Sequence, residues 1–266
     1  MLKKFTRKIK QWQTVKQVKL DRSIKTGGDP RRLEQYGYKV YSQSDEDGII
    51  DEIFRRIGTT NRTFVEFGVE IGLECNTRYL LENGWNGLWI EANPDYVPAI
   101  HHHCKSYIQT GKLKVIEARV TIDNINNLIA DSGIRGEIDF LSIDIDGNDY
   151  HVYDAISVIE PRVVCLEHNC NYPPPSEWIM PYDPCYQWSG NDPCYGASII
   201  CMEKLAKKKG MTLVGCGLYS PNGFYVKTCL VNDDLFCPPY CPERLFNQSN
   251  YDKIVSFPVG KFMRNI

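Results

Sequence analysis

The sequence predicts an α/β fold with a mostly parallel, doubly wound sheet and an N-terminal helical extension. Short apolar runs typical of buried strands alternate with helical patterns through most of the chain. The stretch Thr63–Asn93 reads as strand, glycine turn, helix and second strand ending in an acid, which is the form of a nucleotide-binding unit. Apolar residues at helical spacing among the first lysines indicate the extension.

The N-terminal segment is basic. Met1–Leu20 holds seven Lys and Arg residues and no acid. Its apolar positions follow helical spacing at Leu2, Phe5, Ile9, Trp12, Val15 and Val18. Gly27–Pro30 breaks the pattern, so we predict an N-terminal segment and linker over residues 1–30. Such a helix suits weak contact with an anionic membrane through residues 1–20, and a leader packed on the main domain, or a frayed tail, is an alternative at least as common.

Composition narrows the class of protein. The chain has 266 residues, 42% of them hydrophobic, and a net charge of only −2, so the part after the basic segment is acidic. Nucleic acid is therefore not an expected partner. No apolar run is long enough to span a membrane or to form a signal peptide, which predicts a cytoplasmic protein, at most peripheral to a membrane. Eleven scattered cysteines are expected as reduced thiols, and a zinc site at Cys237 and Cys241 stays open.

The first helix of the main domain is predicted to begin at Ser44, which stands three residues before Asp47 as in a capping box. The apolar residues Ile49, Ile50, Ile53, Phe54 and Ile57 then recur at helical spacing, and Gly58 ends the pattern.

The nucleotide-like unit follows. Thr63–Phe67 is a predicted strand, the chain turns through Gly68 and Gly72, a helix covers Asn76–Asn83, and Gly87–Ile90 is the second strand. Glu91 ends that strand 23 residues after Gly68, where an acid can bind ribose hydroxyls. Glu70 adds a carboxylate that repels a pyrophosphate but suits a cationic sulfonium such as that of S-adenosylmethionine. The candidate cofactor residues in this unit are Glu66, Gly68, Gly72, Asn76 and Glu91. An ordinary turn with solvated acids is the alternative.

The next elements continue the alternation. After a turn through Asn93–Pro94, a helix through about Ser106 contains three consecutive histidines, which point in different directions and are expected as a polar surface. Leu113–Glu117 is a predicted strand, Ile122–Asp131 a helix and Ile138–Ile145 a strand. After a short helix at Tyr150–Ser157 come Arg162–Leu166, the helical stretch Gly196–Gly210, and the final strands Met211–Cys216 and Phe224–Thr228.

Three stretches together carry a resemblance to a known family. They read VEFGVEIGLECNTRYLLENGWNGLWIEANP, FLSIDIDGNDYHVYDAI and GASIICMEKLAKKKGMTLVGC. Between about Tyr41 and Lys227 the chain resembles the FkbM-like class of S-adenosylmethionine-dependent methyltransferases. The resemblance implies a seven-stranded, Rossmann-like class I methyltransferase fold, with the first glycine turn and Glu91 on the cofactor. It also implies O-methylation, often of sugar hydroxyls, and leaves the acceptor unidentified.

Acids cluster at the ends of the fourth and fifth predicted strands, which should meet at the same sheet edge as Glu91. Asp144 is assigned to the cofactor, and Asp146 or His168 to removal of the hydroxyl proton. Catechol-type O-methyltransferases hold a divalent cation at similar positions, so Asp144, Glu167 and Asn169 are alternative ligands for Mg²⁺ or Mn²⁺. The lysine that those enzymes place after the strand-four acid is absent here, and the metal-free reading with His168 as base is preferred.

The segment 169–195 is an inserted loop rich in proline, tyrosine and tryptophan, which suits a lid over an acceptor or a loop that only packs on the sheet. We predict a methyltransferase domain over residues 31–235 and a tail over 236–266. The predicted function is S-adenosylmethionine-dependent O-methylation of a small-molecule or glycan acceptor. A binding protein that kept the fold without the chemistry, and an NAD-dependent oxidoreductase, are the alternatives.

Overall fold

The computed structural model describes residues 2–190, 192–250 and 252–253, with side chains from residue 14 onward. The apolar positions predicted at Leu2, Phe5, Ile9 and Trp12 therefore lie outside the described side chains, as does the tail beyond residue 253.

The described residues form one seven-stranded mixed sheet. Its strands are β1 (Thr63–Phe67), β2 (Asn86–Glu91), β3 (Leu113–Glu117), β4 (Gly136–Ile143), β5 (Ile159–Glu167), β6 (Met211–Cys216) and β7 (Asn222–Lys227). The order is β3-β2-β1-β4-β5-β7-β6, and β7 alone runs antiparallel to its neighbours. The chain moves outward from β1 to β3 and then crosses back to β4, so β1 and β4 form the switch point at which such sheets bind ligands.

Helices cover both faces of the sheet. They are α1 (Leu2–Thr26), α2 (Glu46–Ile57), α3 (Arg78–Glu82), α4 (Val97–His103), α5 (Lys105–Gln109), α6 (Ile125–Asp131), α7 (Asp149–Ala155), α8 (Ile199–Lys208) and α9 (Pro242–Leu245). Helices α2 to α4 pack on the face of Phe64 and Trp89. Helices α6 to α8 pack on the face of Val65 and Leu141, as the alternation of side chains along a buried strand requires.

Most predicted elements are confirmed, and β1, β3 and β6 have the predicted bounds. The fourth strand ends at Ile143 rather than Ile145, because the Asp149 carboxylate accepts hydrogen bonds from the N–H groups of Ile145 and Gly147 and draws the chain out of the sheet. The predicted helix through Ser106 is two helices, separated at Cys104.

The start of α2 differs from the prediction. Ser42, not Ser44, makes the reciprocal contact with Asp47: the Ser42 hydroxyl accepts from the Asp47 N–H, and the Asp47 carboxylate accepts from the Ser42 N–H. That carboxylate also accepts from the N–H groups of Val40 and Tyr41. The loop before α2 is therefore tied to its first turn.

The N-terminal helix ends at Thr26, just before the predicted glycine break. Its C-terminal half packs on the turn between β6 and β7, where Val18 is buried against Leu218 and Tyr219. After β7 the chain returns to the core with Phe236 fully buried. Among the described residues, no helix is both long enough and apolar enough to span a membrane.

Candidate active site

A cleft of about 600 Å³ opens at the carboxyl ends of β1, β2, β4 and β5. Its volume lies in the range of small-molecule sites. Six acids line it, namely Glu70, Glu74, Glu91, Asp144, Asp146 and Glu167, and among the described lining residues Arg119 is the basic one. A smaller cavity of about 280 Å³ lies at the opposite edge, near Asn61 and Lys112, and shares none of these residues.

The glycine turn after β1 brings two strand ends together. Gly68 has a φ of +74°, and a Cβ atom there would lie 1.8 Å from the carbonyl oxygen of Asp144. Only glycine allows this approach of the β1 and β4 ends. Gly72 has a φ of +72° and serves packing instead, because a Cβ there would lie 2.7 Å from the Trp89 ring. Of the two predicted cofactor glycines, Gly68 lines the cleft and Gly72 does not.

Glu91 lies in the cleft wall and is held by the backbone. One carboxylate oxygen accepts from the Glu70 N–H at 2.8 Å, and the other accepts from the Asn93 N–H at 2.8 Å. Burial raises the pKa of Glu91, and these two hydrogen bonds act against that rise. A carboxylate has about four acceptor sites, and the Ala92 backbone also acts on this one, so the side chain can still accept a hydroxyl group from a ligand.

Glu66 and Asn76 occupy interior positions rather than the predicted cofactor contact. The Glu66 carboxylate accepts from the backbone N–H groups of Asn76 and Thr77 and from the Thr77 hydroxyl. Burial raises the pKa of Glu66. The Asn76 amide donates to the Ser142 hydroxyl at 3.0 Å. Both side chains fix the segment between β1 and α3, and neither lines the cleft.

The floor of the cleft holds a carboxylate trio of Asp144, Asp146 and Glu167. One oxygen of each lies within 4.8 Å of the others. Burial, and then repulsion from Asp146 and Asp149, raises the pKa of Asp144 well above its usual range. Burial and repulsion from Asp144 do the same to Glu167. Withdrawal of the Asp146 carboxyl from bulk water, with repulsion from Asp149 and Glu70, raises its pKa to about 6. The trio therefore attracts protons or cations.

His168 and Asn169 do not join the trio, contrary to the prediction of a single pocket. The His168 ring is buried against Phe246, and neither ring nitrogen has a hydrogen-bond partner among the described residues. Burial lowers its pKa to about 3. The Asn169 amide donates to the carbonyls of Pro193 and Tyr195, each at 2.7 Å. Neither residue lines the cleft. Asp146, rather than the predicted Asn169, is therefore the third group beside Asp144 and Glu167.

The inserted loop forms one wall of the cleft through Pro184, Tyr186 and Trp188. The Asn148 amide ties the loop to the β4–α7 connection by donating to the Asp183 carbonyl at 2.7 Å. Trp188 is partly exposed, and its indole N–H donates to the Asp192 carbonyl at 2.8 Å. Aromatic side chains therefore line the cleft together with the acids, and the Tyr186 ring lies against Gly147, next to Asp146.

Sequence reasoning missed the cleft residues Arg119, Tyr186 and Trp188 as individuals. Arg119 follows β3, whose carboxyl end lies at the same edge as the other strand ends, so its position in sequence was an available signal. Two cleft residues, Glu70 and Asp146, also have positive φ values, of 50° and 54°. Such backbone strain concentrates at functional sites, but no sequence pattern predicts it at these two residues.

Comparison with known proteins gives similarity in fold only. No family model matches the chain, and no curated protein matches it. Solved structures that it resembles include the N-terminal domain of EvdMO1 with SAH and D-fucose (10% identity, 68% of this chain and 81% of that one, TM-score 0.43). A second is an S-adenosylmethionine-dependent methyltransferase from Clostridium acetobutylicum (12% identity, 66% of this chain and 88% of that one, TM-score 0.40). A third is the methyltransferase domain of bacterial CtHen1-C (13% identity, 69% of this chain and 97% of that one, TM-score 0.45).

Of these structural neighbours, the second is an S-adenosylmethionine-dependent methyltransferase, the third is a methyltransferase domain, and the first was solved with SAH. At such identities and TM-scores they assign no activity, substrate or residue role to this chain, and the FkbM-like resemblance stays a prediction. The chemistry has to be inferred from the cleft itself.

Proposed function

We propose that the protein is an S-adenosylmethionine-dependent O-methyltransferase that acts on a neutral hydroxyl acceptor, of which a sugar or glycan is the best candidate. One observation carries the proposal: the β1 glycine turn, the acid ending β2 and the acid following β4 converge on a single cleft at the switch point of the sheet.

The residues present fit this cofactor. Gly68 leaves backbone space where β1 meets β4, and Glu91 keeps acceptor capacity for a ribose hydroxyl. Asp144 lies beside Gly68 and suits the cationic part of the molecule. When bound, S-adenosylmethionine supplies a methyl group on a positively charged sulfur. The surplus of carboxylates favours that cation over the pyrophosphate of NAD.

Asp146 is the proposed base. Its carboxyl lies open to the cleft, and a pKa of about 6 keeps it mostly ionised at neutral pH while leaving it basic enough to accept a hydroxyl proton. Burial and mutual repulsion raise the pKa of Asp144 and of Glu167, so the trio favours the approach of a proton or a cation. Most of the rate enhancement is assigned to the holding of both reactants in one cleft.

The acceptor class is inferred from the wall that the inserted loop forms. The faces of Tyr186 and Trp188 suit stacking of the apolar face of a sugar ring, and their loop limits access of water. An acidic cleft disfavours acceptors that carry a carboxylate, because like charges repel.

A divalent cation in the trio is a second version of the same chemistry. The observation that favours it is the approach of the three carboxylates to within 4.8 Å with Glu167 largely buried. Asp144, Asp146 and Glu167 would then hold Mg²⁺ or Mn²⁺, and Asn169, whose amide is already committed to the loop, would not take part. In this version EDTA abolishes turnover; in the metal-free version EDTA has no effect.

The test is transfer of a labelled methyl group from S-adenosylmethionine to a panel of sugars, with the matching uronic acids as charged controls. Labelled methyl ethers of neutral sugars are the expected products, and turnover should fall by roughly 10²–10⁴ in Asp146→Asn. Cofactor binding without any methyl transfer would instead favour a binding protein on this fold. Tight binding of NAD would favour the oxidoreductase.

A further inference from the structure

Large apolar side chains are exposed at few described positions. They are Leu20, Ile24, Leu73 and Trp188. Leu73 follows the turn at the end of β1, and Trp188 lies in the loop after β5. Helix α1, which carries the other two, packs on the turn after β6. Because β1, β5 and β6 run in the same direction, all these segments lie at the carboxyl edge, beside the cleft.

Helix α1 presents two different faces. Val18, Arg22 and Lys25 face the domain: Val18 is buried, the Arg22 guanidinium donates to the Gly37 carbonyl, and the Lys25 amine donates to the Phe246 carbonyl at 2.7 Å. The outer face of α1 is defined by the exposed residues Lys16, Lys19, Leu20 and Ile24. Leu20 is 53% exposed and Ile24 is 73% exposed, so the outer face joins cations to apolar side chains.

We propose that the outer face of α1 docks on an anionic phospholipid surface. A helix that combines lysines with exposed Leu and Ile is typical of helices that lie at a membrane interface. The charge supports this partner, since residues 1–20 hold seven Lys and Arg and no acid.

A second copy of the chain fits this side less well. Only Leu20 and Ile24 are neighbours on one element, whereas a stable dimer needs a contiguous interface of about 800 Å² per partner. A lipid surface accepts separate side chains. Lipid binding by α1 does not depend on methyl transfer, so either proposal can fail alone.

The test is co-sedimentation of the full chain with vesicles of phosphatidylcholine alone or mixed with phosphatidylserine. Binding is expected to the mixed vesicles and to weaken as salt is added. The double variant Lys16→Gln/Lys19→Gln should bind more weakly by roughly fivefold for each lysine. Leu20→Ser/Ile24→Ser should weaken binding by roughly tenfold through lost apolar contact.

The matched control is Lys112→Gln/Arg135→Gln, which removes the same charge from exposed residues at the opposite sheet edge. It should bind mixed vesicles as the parent does. Equal binding to both vesicle types, or an equal loss in the control, overturns the proposal. So does an α1 variant that converts a dimer to a monomer in light scattering without altering sedimentation with lipid.

Discussion

Alanine substitutions at three glycines with nearly identical φ angles distinguish the free-energy cost of a left-handed backbone from the cost of steric crowding. Gly111, Gly72 and Gly68 have φ values of +73°, +72° and +74°. A Cβ at Gly111 meets nothing within 4 Å, one at Gly72 lies 2.7 Å from the Trp89 ring, and one at Gly68 lies 1.8 Å from the Asp144 carbonyl oxygen. Alanine at each site therefore carries the same left-handed penalty, about 1–2 kcal/mol, with different added terms.

For Gly111→Ala we expect only that penalty in chemical unfolding, with unchanged affinity for S-adenosylhomocysteine. Gly72→Ala adds overpacking of about 1–3 kcal/mol against a buried ring. In Gly68→Ala the obstacle is backbone, so the Asp144 end of β4 must move by on the order of 1 Å, which is enough to disrupt a site.

The assay is calorimetric titration of each folded variant with S-adenosylhomocysteine. We expect a loss of at least about tenfold, or 1.4 kcal/mol, for Gly68→Ala alone. Parental affinity in Gly68→Ala, or an equal loss in Gly111→Ala, would refute the placement of the cofactor at the β1 turn.

Three further predictions concern single acids. Glu91→Ala should weaken S-adenosylhomocysteine binding by about 1.5–3 kcal/mol, with a smaller loss in Glu91→Gln, and unchanged affinity in the folded alanine variant contradicts the assignment. Asp139 pairs with Arg162 at 2.6 Å at the other sheet edge, so Asp139→Asn should lower the free energy of unfolding by about 3–5 kcal/mol in denaturant titration without changing that affinity. A loss below about 1 kcal/mol contradicts the buried pair. Because the folded-state pKa of Asp146 is raised to about 6, its contribution to stability is complete below the unfolded value of 3.8 and is lost as pH rises through about 6. Asp146→Asn should therefore be more stable than the parent above pH 6 and equal to it below pH 4, and the reverse order contradicts the raised pKa.

The strands could be predicted because their signal is local. Thr63–Phe67 and Leu113–Glu117 are short apolar runs bounded by polar or glycine residues, and both have the predicted bounds. The convergence of Asp144, Glu91 and Gly68 on one edge also followed from alternating strands and helices, because parallel strands end on the same side.

The direction of each side chain was harder to predict. Glu167 and His168 are neighbours at the end of β5, and successive side chains along a strand point to opposite sides, so both could not face one cleft. Glu167 belongs to the carboxylate trio, whereas His168 packs on Phe246. Glu66 was read as a ligand because it is an acid near a glycine turn, but its carboxylate satisfies the backbone N–H groups of Asn76 and Thr77. Whether a carboxylate accepts from the backbone in this way depends on distances across the turn, and residue types alone do not determine those distances.

The central claim is that the cleft at the β1–β4 switch point binds S-adenosylmethionine. The most direct measurement is calorimetric titration of the purified protein with S-adenosylhomocysteine and, in parallel, with NAD. Saturable binding of S-adenosylhomocysteine at one site per chain, weakened in Glu91→Ala and with no heat from NAD, is the predicted result. Binding of NAD in its place, or of neither compound by the folded protein, would contradict the claim.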